Sequence, residues 1–132
     1  MHGQSLNLLS TWFTNSKIIG VDITNEYLHK LENSNIEFFL SNAYHEDFIA
    51  TFEDLFFDYI IDDGPHDLNS QLNCVKYWFR KLKISGKLII EDIQNLESQK
   101  LYFDELNIPY EIVDLRKNKN RYDDVLLILT KQ

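Results

Sequence analysis

The segment FDYIIDDGPH, residues 57–66, places two aspartates and a histidine directly after a short apolar run. The segment KLIIED, residues 87–92, repeats this pattern, with an apolar run that ends in Glu91 and Asp92. Each apolar run has the length and composition of a buried strand, and a helix-sized segment separates the two. Because a strand, helix and strand in this order form a right-handed crossover, we expect the two strands to be parallel neighbours.

Both acidic segments would then reach the same edge of the sheet, outside the carboxyl ends of its strands, where open α/β sheets bind ligands. The four carboxylates of these segments would repel one another there unless protons or a cation neutralise them. Hard oxygen ligands of this kind suit Mg²⁺ or Ca²⁺. His66, three residues after Asp63, would stand beside that cation as a candidate general base.

Each motif also has a purely structural interpretation. The first acidic pair is typical of a turn at the end of a strand, and the second is typical of acids that cap a following helix. His66 is also consistent with a surface or capping histidine. The occurrence of both acidic pairs on neighbouring strands favours the metal site.

Length and charge restrict the class of protein. The 132 residues suffice for one domain, predicted over 1–132. A net charge of −8 argues against a nucleic-acid partner, and the one basic patch, residues 116–121, is typical of a solvated hairpin loop. No apolar run approaches the roughly 20 residues that span a bilayer, so no membrane partner is expected. Because no secretory signal is recognisable, a cytoplasmic location is expected.

The rest of the chain alternates strand-like and helix-like segments, which predicts an α/β fold with a doubly wound, mostly parallel sheet. The predicted strands lie at 17–23, 36–40, 57–61 and 87–90, and the predicted helices at 5–13, 26–32, 45–55, 67–82 and 96–106. Ser85 and Gly86 are expected to turn the chain into the strand at 87–90. The last two strands, 110–115 and 125–129, have no predicted helix between them and should form an antiparallel hairpin at the sheet edge.

Three of these segments, IDDGPH (61–66), Ser85-Gly86 and IED (90–92), together resemble class I S-adenosylmethionine-dependent methyltransferases. The resemblance is to the metal-dependent small-molecule and sugar O-methyltransferase branch, and YDDVLLI (122–128) is similar to the closing strand pair of that family. It covers nearly the whole chain. It implies a Rossmann-like fold and Mg²⁺-assisted transfer of a methyl group from S-adenosylmethionine to a hydroxyl of a sugar or other small molecule.

The resemblance also implies roles for individual residues. It assigns His66 as the general base and, as metal ligands, Asp63, Glu91 and Asp92. As cofactor-binding residues it assigns Gly3, Ser5, Asp22, Asn42, Ala43 and Asp62. Asp22 would accept hydrogen bonds from the ribose hydroxyls, although it also suits a plain N-cap of the next helix.

The start of the chain departs from the family pattern. Family members begin with a strand and a Gly-rich turn, of which this chain has only Gly3 and Ser5. We therefore expect an N-terminally truncated form of the fold. Its strands at 18–21 and 57–61 would either pair with each other or be bridged by a segment from another chain, which makes a homo-oligomer an expectation as well.

Two other functions fit parts of the pattern. A non-catalytic methyltransferase-fold remnant or binding subunit would keep the fold without cofactor binding. A nicotinamide-dependent Rossmann enzyme would explain a strand that ends in Asp22, but it leaves the paired acidic motifs unexplained. Gly3 alone is no dinucleotide-binding fingerprint.

Overall fold

A computed structural model describes residues 4–26, 28–31 and 33–132. The chain divides into two compact units, Met1–Phe48 and Ile49–Gln132. Each unit has its own sheet. The single domain over 1–132 stays a prediction.

The first unit is built on two parallel strands, β1 (Ile18–Asp22) and β2 (Ile36–Leu40), with Gly20 opposite Phe38. Helix α1 (Gln4–Trp12) packs against both strands. Gly20 lies under this helix, where an added Cβ would come within 2.5 Å of the Leu6 side chain. The absence of a side chain at Gly20 therefore lets the helix approach the sheet closely.

The second unit contains a four-stranded sheet in the order β3-β4-β6-β5. The elements that follow β2 in the chain are α2 (Glu46–Ala50), β3 (Phe57–Asp62), α3 (Leu68–Trp78), β4 (Leu82–Ile90), α4 (Leu96–Asp104), β5 (Tyr110–Asp114), α5 (Arg116–Lys119) and β6 (Val125–Thr130). Strands β3 and β4 are parallel, and β6 runs antiparallel to both β4 and β5. The predicted α/β fold with an antiparallel C-terminal strand pair is confirmed.

The buried residues of the second unit recur at the spacing expected for its strands and helices. Alternate residues of β6 are buried, as expected for a strand with one face on the core. The helical spacing of Cys74, Val75 and Trp78 buries one face of α3, and Phe103 of α4 is also buried. Burial of one such large apolar side chain stabilises the fold by roughly 1.5–3 kcal/mol.

Strands 18–21 and 57–61 do not pair with each other, so that expectation was wrong. Among the described strands, β1 pairs with β2 alone and β3 with β4 alone. Bridging by a segment of another chain stays a prediction.

The Ser85-Gly86 turn was also predicted wrongly, because it lies inside β4 as a bulge. Between the pairs Phe57↔Leu82 and Tyr59↔Lys87 the register shifts. A Cβ on Gly86 would lie 2.9–3.1 Å from three backbone carbonyl oxygens, so only glycine permits this close approach.

The helices are generally shorter than predicted. The stretch 26–32 holds only a 3-10 turn, Leu28–Lys30, with residues 27 and 32 outside the described part. The helix predicted at 45–55 ends at Ala50, and Leu55 has a positive φ of 59°. Short helices have little stability of their own unless one face packs against the rest of the protein. Between β5 and β6, where no helix was predicted, the chain forms the single turn α5.

Candidate metal centre

The acidic residues after β3 and β4 are placed together by the parallel pairing of these strands. Asp62 lies opposite Ile90 in the ladder, and the Glu91 N–H donates to the Asp62 carbonyl at 3.0 Å. The segments that follow β3 and β4 therefore leave the sheet at the same level. Asp63 and Asp92 come next along each chain.

His66 is positioned by the start of α3. Asp67 caps this helix by accepting a hydrogen bond from the Ser70 N–H at 3.0 Å. Gln71, one turn further, is buried and donates through Nε2 to the Glu91 carbonyl at 3.3 Å. The helix and the segment after β4 are thus joined beside His66.

Two residues of this region adopt the left-handed backbone conformation, His66 with φ of 60° and Asp92 with φ of 53°. Histidine and aspartate enter this region more readily than most residues, but it costs on the order of 1 kcal/mol or more for any side chain. Such backbone strain clusters at functional sites.

Asp63, His66 and Asp92 bring one candidate ligand atom each within 4.8 Å of one another. The imidazole lies between the carboxylates, with Nε2 at 3.3 Å from Asp63 Oδ1 and Nδ1 at 3.8 Å from Asp92 Oδ2. The three side chains are 34%, 24% and 17% exposed, in the order Asp63, His66 and Asp92. A solute can therefore reach them, although much of their hydration is already lost.

Glu91 is held in an environment that disfavours its charge. Burial, together with the nearby carboxylates of Asp63 and Asp92, raises the pKa of Glu91 above its usual range. Its carboxylate is not one of the three groups whose ligand atoms converge. The roles of Asp63, Glu91 and Asp92 as ligands and of His66 as base stay predictions.

The donor set fits a small divalent cation. Carboxylate oxygens from Asp63 and Asp92 are the ligands that Mg²⁺ takes from proteins, and Mg²⁺ keeps several of its waters. Burial is the main cause of the raised pKa of Glu91, and a cation here would relieve the second cause, the repulsion from Asp63 and Asp92. The electrostatics of this cluster therefore favour binding of positive charge.

Sequence reasoning missed the contribution of Arg121, which was assigned to a solvated loop. Arg121 Nη2 lies 3.5 Å from Asp92 Oδ2 and 3.5 Å from Asp123 Oδ1, and Nε lies 3.7 Å from Asp124 Oδ2. The carboxylates of Asp124, Asp123 and Asp92 raise the pKa of Arg121 above its usual range. The adjacent basic and acidic runs, 116–121 and 123–124, were a usable signal for ion pairing.

The residues predicted to bind the cofactor lie in both units. Asp22 ends β1, is exposed, and accepts a hydrogen bond from the Thr24 N–H at 2.9 Å. Asn42 accepts one from the Tyr44 N–H at 2.9 Å, and Ala43 lies between them in the loop after β2. Ser5 lies in α1, and Gly3 falls outside the described residues.

Asp62, also predicted to bind the cofactor, is buried at the end of β3 in the second unit. Burial, together with the nearby charge of the Asp62 carboxylate, raises the pKa of the Cys74 thiol. The role of Asp62 in cofactor binding stays a prediction.

A shallow depression of about 500 Å³ lies elsewhere on the second unit, lined by Lys100, Asp104, Pro109 and Tyr110. Lys100 Nζ pairs with Asp104 at 2.8 Å inside it. Its charged groups therefore satisfy one another, and the converging carboxylates near His66 are the better candidate site.

Within the described part of the chain, every helix is too short or too polar to span a bilayer. The chain matches no protein-family model and no curated protein sequence.

Several solved structures share its fold. The MycE methyltransferase of the mycinamycin biosynthetic pathway, in complex with Mg and SAH, superposes with a TM-score of 0.70 at 16% identity; the match covers 98% of this chain and 40% of MycE. An S-adenosylmethionine-dependent methyltransferase from Archaeoglobus fulgidus superposes at 0.67 and 16%, with 98% of this chain and 82% of that one covered.

A protein from Pyrococcus horikoshii OT3 gives a TM-score of 0.68 at 20% identity, with 98% and 77% covered. At these identities the likeness is one of fold. The chain therefore has the Rossmann-like fold of S-adenosylmethionine-dependent methyltransferases, and it spans less than half the length of MycE.

Proposed function

We propose that the protein is an S-adenosylmethionine-dependent O-methyltransferase that uses Mg²⁺ to methylate a hydroxyl of a sugar or other small molecule. One observation carries the proposal: Asp63, His66 and Asp92 converge within 4.8 Å at the carboxyl ends of parallel strands. The fold is shared with MycE, whose structure holds Mg and SAH.

The carboxylates of Asp63 and Asp92, with Glu91 beside them, would hold the cation. When bound, the cation would lower the pKa of a substrate hydroxyl and orient it toward the methyl donor. Neutralisation of the carboxylates would also weaken their attraction for the His66 ring, whose two nitrogens face them.

His66 would then accept the hydroxyl proton on a ring nitrogen. The bound S-adenosylmethionine would supply the methyl group for the new O–C bond, and S-adenosylhomocysteine would leave with the electron pair of the broken C–S bond. A neutral imidazole suits this role near neutral pH. Alignment of oxygen, methyl and sulfur by the protein would supply much of the acceleration.

The second candidate is a methyltransferase-fold binding subunit without cofactor. One observation favours it: Asp22 Oδ1 already accepts the Thr24 N–H at 2.9 Å, and the Thr24 hydroxyl lies 3.4 Å from the same oxygen. These contacts are those of a local turn, which needs no ribose.

Calorimetric titration with S-adenosylhomocysteine, with and without Mg²⁺, distinguishes the two candidates. The enzyme should bind the ligand, and Asp22→Asn should weaken binding at least about tenfold, since hydrogen bonds to a charged group contribute about 1.5–3 kcal/mol. Asp47→Asn, an exposed aspartate in α2 of the same unit, is the matched control. Absence of binding in the parent would favour the binding subunit.

A further inference from the structure

Arg121 lies between a carboxylate of the candidate metal centre and two carboxylates outside it. Its Nη2 is 3.5 Å from both Asp92 Oδ2 and Asp123 Oδ1, and its Nε is 3.7 Å from Asp124 Oδ2. All three distances exceed the 2.7–2.9 Å of a well-formed charge-assisted hydrogen bond. The guanidinium is thus shared among three carboxylates and forms a short hydrogen bond with none of them.

The partners outside the metal centre are poorly satisfied. Asp123 Oδ1 and Asp124 Oδ2 are both buried, and neither has a hydrogen-bond partner among the described residues. Asp124 as a whole is only 4% exposed. Buried carboxylate oxygens without donors are costly. A shift of the guanidinium toward them would therefore be favourable once its attraction to Asp92 is lost.

The Asp92 oxygen that faces Arg121 is the one that also faces the His66 ring. Asp92 Oδ2 is 3.5 Å from the Arg121 guanidinium and 3.8 Å from His66 Nδ1. A divalent cation bound to Asp92 would repel the guanidinium from this position. Cation and guanidinium would therefore compete for the same carboxylate.

We propose that Arg121 is the built-in counter-ion of the metal centre: it neutralises Asp92 in the cation-free protein and moves to Asp123 and Asp124 when a divalent cation binds. This inference rests on the proposed function, because it takes Asp92 as a metal ligand. Arg121 would then be a positioning residue. Its move toward Asp123 and Asp124 would couple cation binding to the conformation of the segment before β6.

Titration with Mg²⁺ and Mn²⁺ alone tests the inference, with Arg121→Gln compared with the parent. Loss of a partly exposed competing ion pair should tighten cation binding about three- to fivefold. It should also lower the melting temperature of the cation-free protein, so the cation-induced rise in melting temperature becomes larger.

Lys119→Gln is the matched control. Lys119 lies in the same segment, contacts Asp124 Oδ1 at 3.5 Å and acts on Glu91 through its charge, but it has no ion pair with Asp92 among the described residues. Lys119→Gln removes the same positive charge as Arg121→Gln, so it measures how much a loss of nearby positive charge alone tightens cation binding. Direct competition requires Arg121→Gln to tighten binding clearly more than Lys119→Gln does.

The outcomes separate this inference from the function beneath it. If the parent binds the cation and Arg121→Gln binds it equally or more weakly, or no more tightly than Lys119→Gln, the counter-ion role is refuted and the metal site stands. If only Arg121→Gln binds, the competition is demonstrated in its strongest form. If neither binds, the metal centre fails and the counter-ion role fails with it.

Discussion

Asp92→Asn removes one of the two carboxylates that lie within 4.8 Å of each other, and it tests the metal centre directly. Two unit charges at that separation repel by about 3.5 kcal/mol at an effective dielectric constant of 20. Asp63 is 34% exposed, and His66 lies between the charges, so screening reduces the repulsion to about 1–2 kcal/mol. A cation that binds here would reverse this unfavourable contribution.

A cation present at 100 times its dissociation constant stabilises the fold by about 2.7 kcal/mol. For a chain of this length that corresponds to a rise in melting temperature of roughly 10 °C. Asp92→Asn should reduce this rise to less than about 3 °C, since one ligand charge is lost. The metal-free melting temperature should change little, because relief of repulsion offsets the lost contacts of Asp92 with His66 and Arg121.

Thermal melts of the purified protein at several Mg²⁺ concentrations provide the measurement. Asp58→Asn is the control: it makes the same chemical change on β3, at an aspartate that pairs with Lys83 at 2.8 Å. It should keep the full Mg²⁺-dependent rise. A parent whose melting temperature ignores Mg²⁺, or an Asp92→Asn protein with an undiminished rise, would refute the reasoning.

Three further predictions follow from the same region and from β4. The raised pKa of Glu91 means that the folded metal-free chain holds this proton more tightly than the unfolded chain; the destabilisation is absent below the ordinary glutamate pKa and grows as pH rises through the raised value. Urea unfolding should therefore show Glu91→Gln more stabilising at pH 7 than at pH 4, and a pH-independent difference would contradict this. His66→Ala should lower kcat for methyl transfer about 100-fold with little change in cofactor affinity; an equal loss of cofactor affinity would indicate a structural role. Gly86→Ala should destabilise the fold by about 1–3 kcal/mol in urea, because its Cβ meets backbone oxygens at 2.9–3.1 Å. Ser85→Gly, which relieves a φ of 66°, should not destabilise it, and equal effects of the two changes would contradict the packing argument.

The sequence predicted the centre of the fold because local patterns and chain connectivity determine it. The apolar runs before Asp62 and Glu91 predicted two strands, and the right-handed crossover rule made them parallel neighbours, as the ladder shows. The N-cap of α3 is a local feature as well, since the Asp67 side chain that caps the helix directly precedes it in the sequence. These features depend on residues close in sequence or on a general rule of handedness.

The conformation of the candidate site depended on tertiary contacts. His66 and Asp92 adopt positive φ values that no local pattern announces, and the Ser85-Gly86 bulge exists because β3 approaches β4 closely. The expected direct pairing of strands 18–21 and 57–61 does not occur among the described strands. Strands so far apart in sequence pair only if tertiary structure brings their edges together.

Arg121 shows most clearly the difference between what the sequence determines and what tertiary contacts determine. Its sequence neighbours made it one charge of a basic loop, and a solvated loop was the reasonable expectation. The antiparallel pairing of β6 with β4 and β5 brings its segment to Asp92, 29 residues away. Sequence alone determined which charges the chain carries and where its strands end. Only the tertiary structure decided which of those charges meet, because Coulomb interactions depend on distance in space, and distance along the chain does not set it.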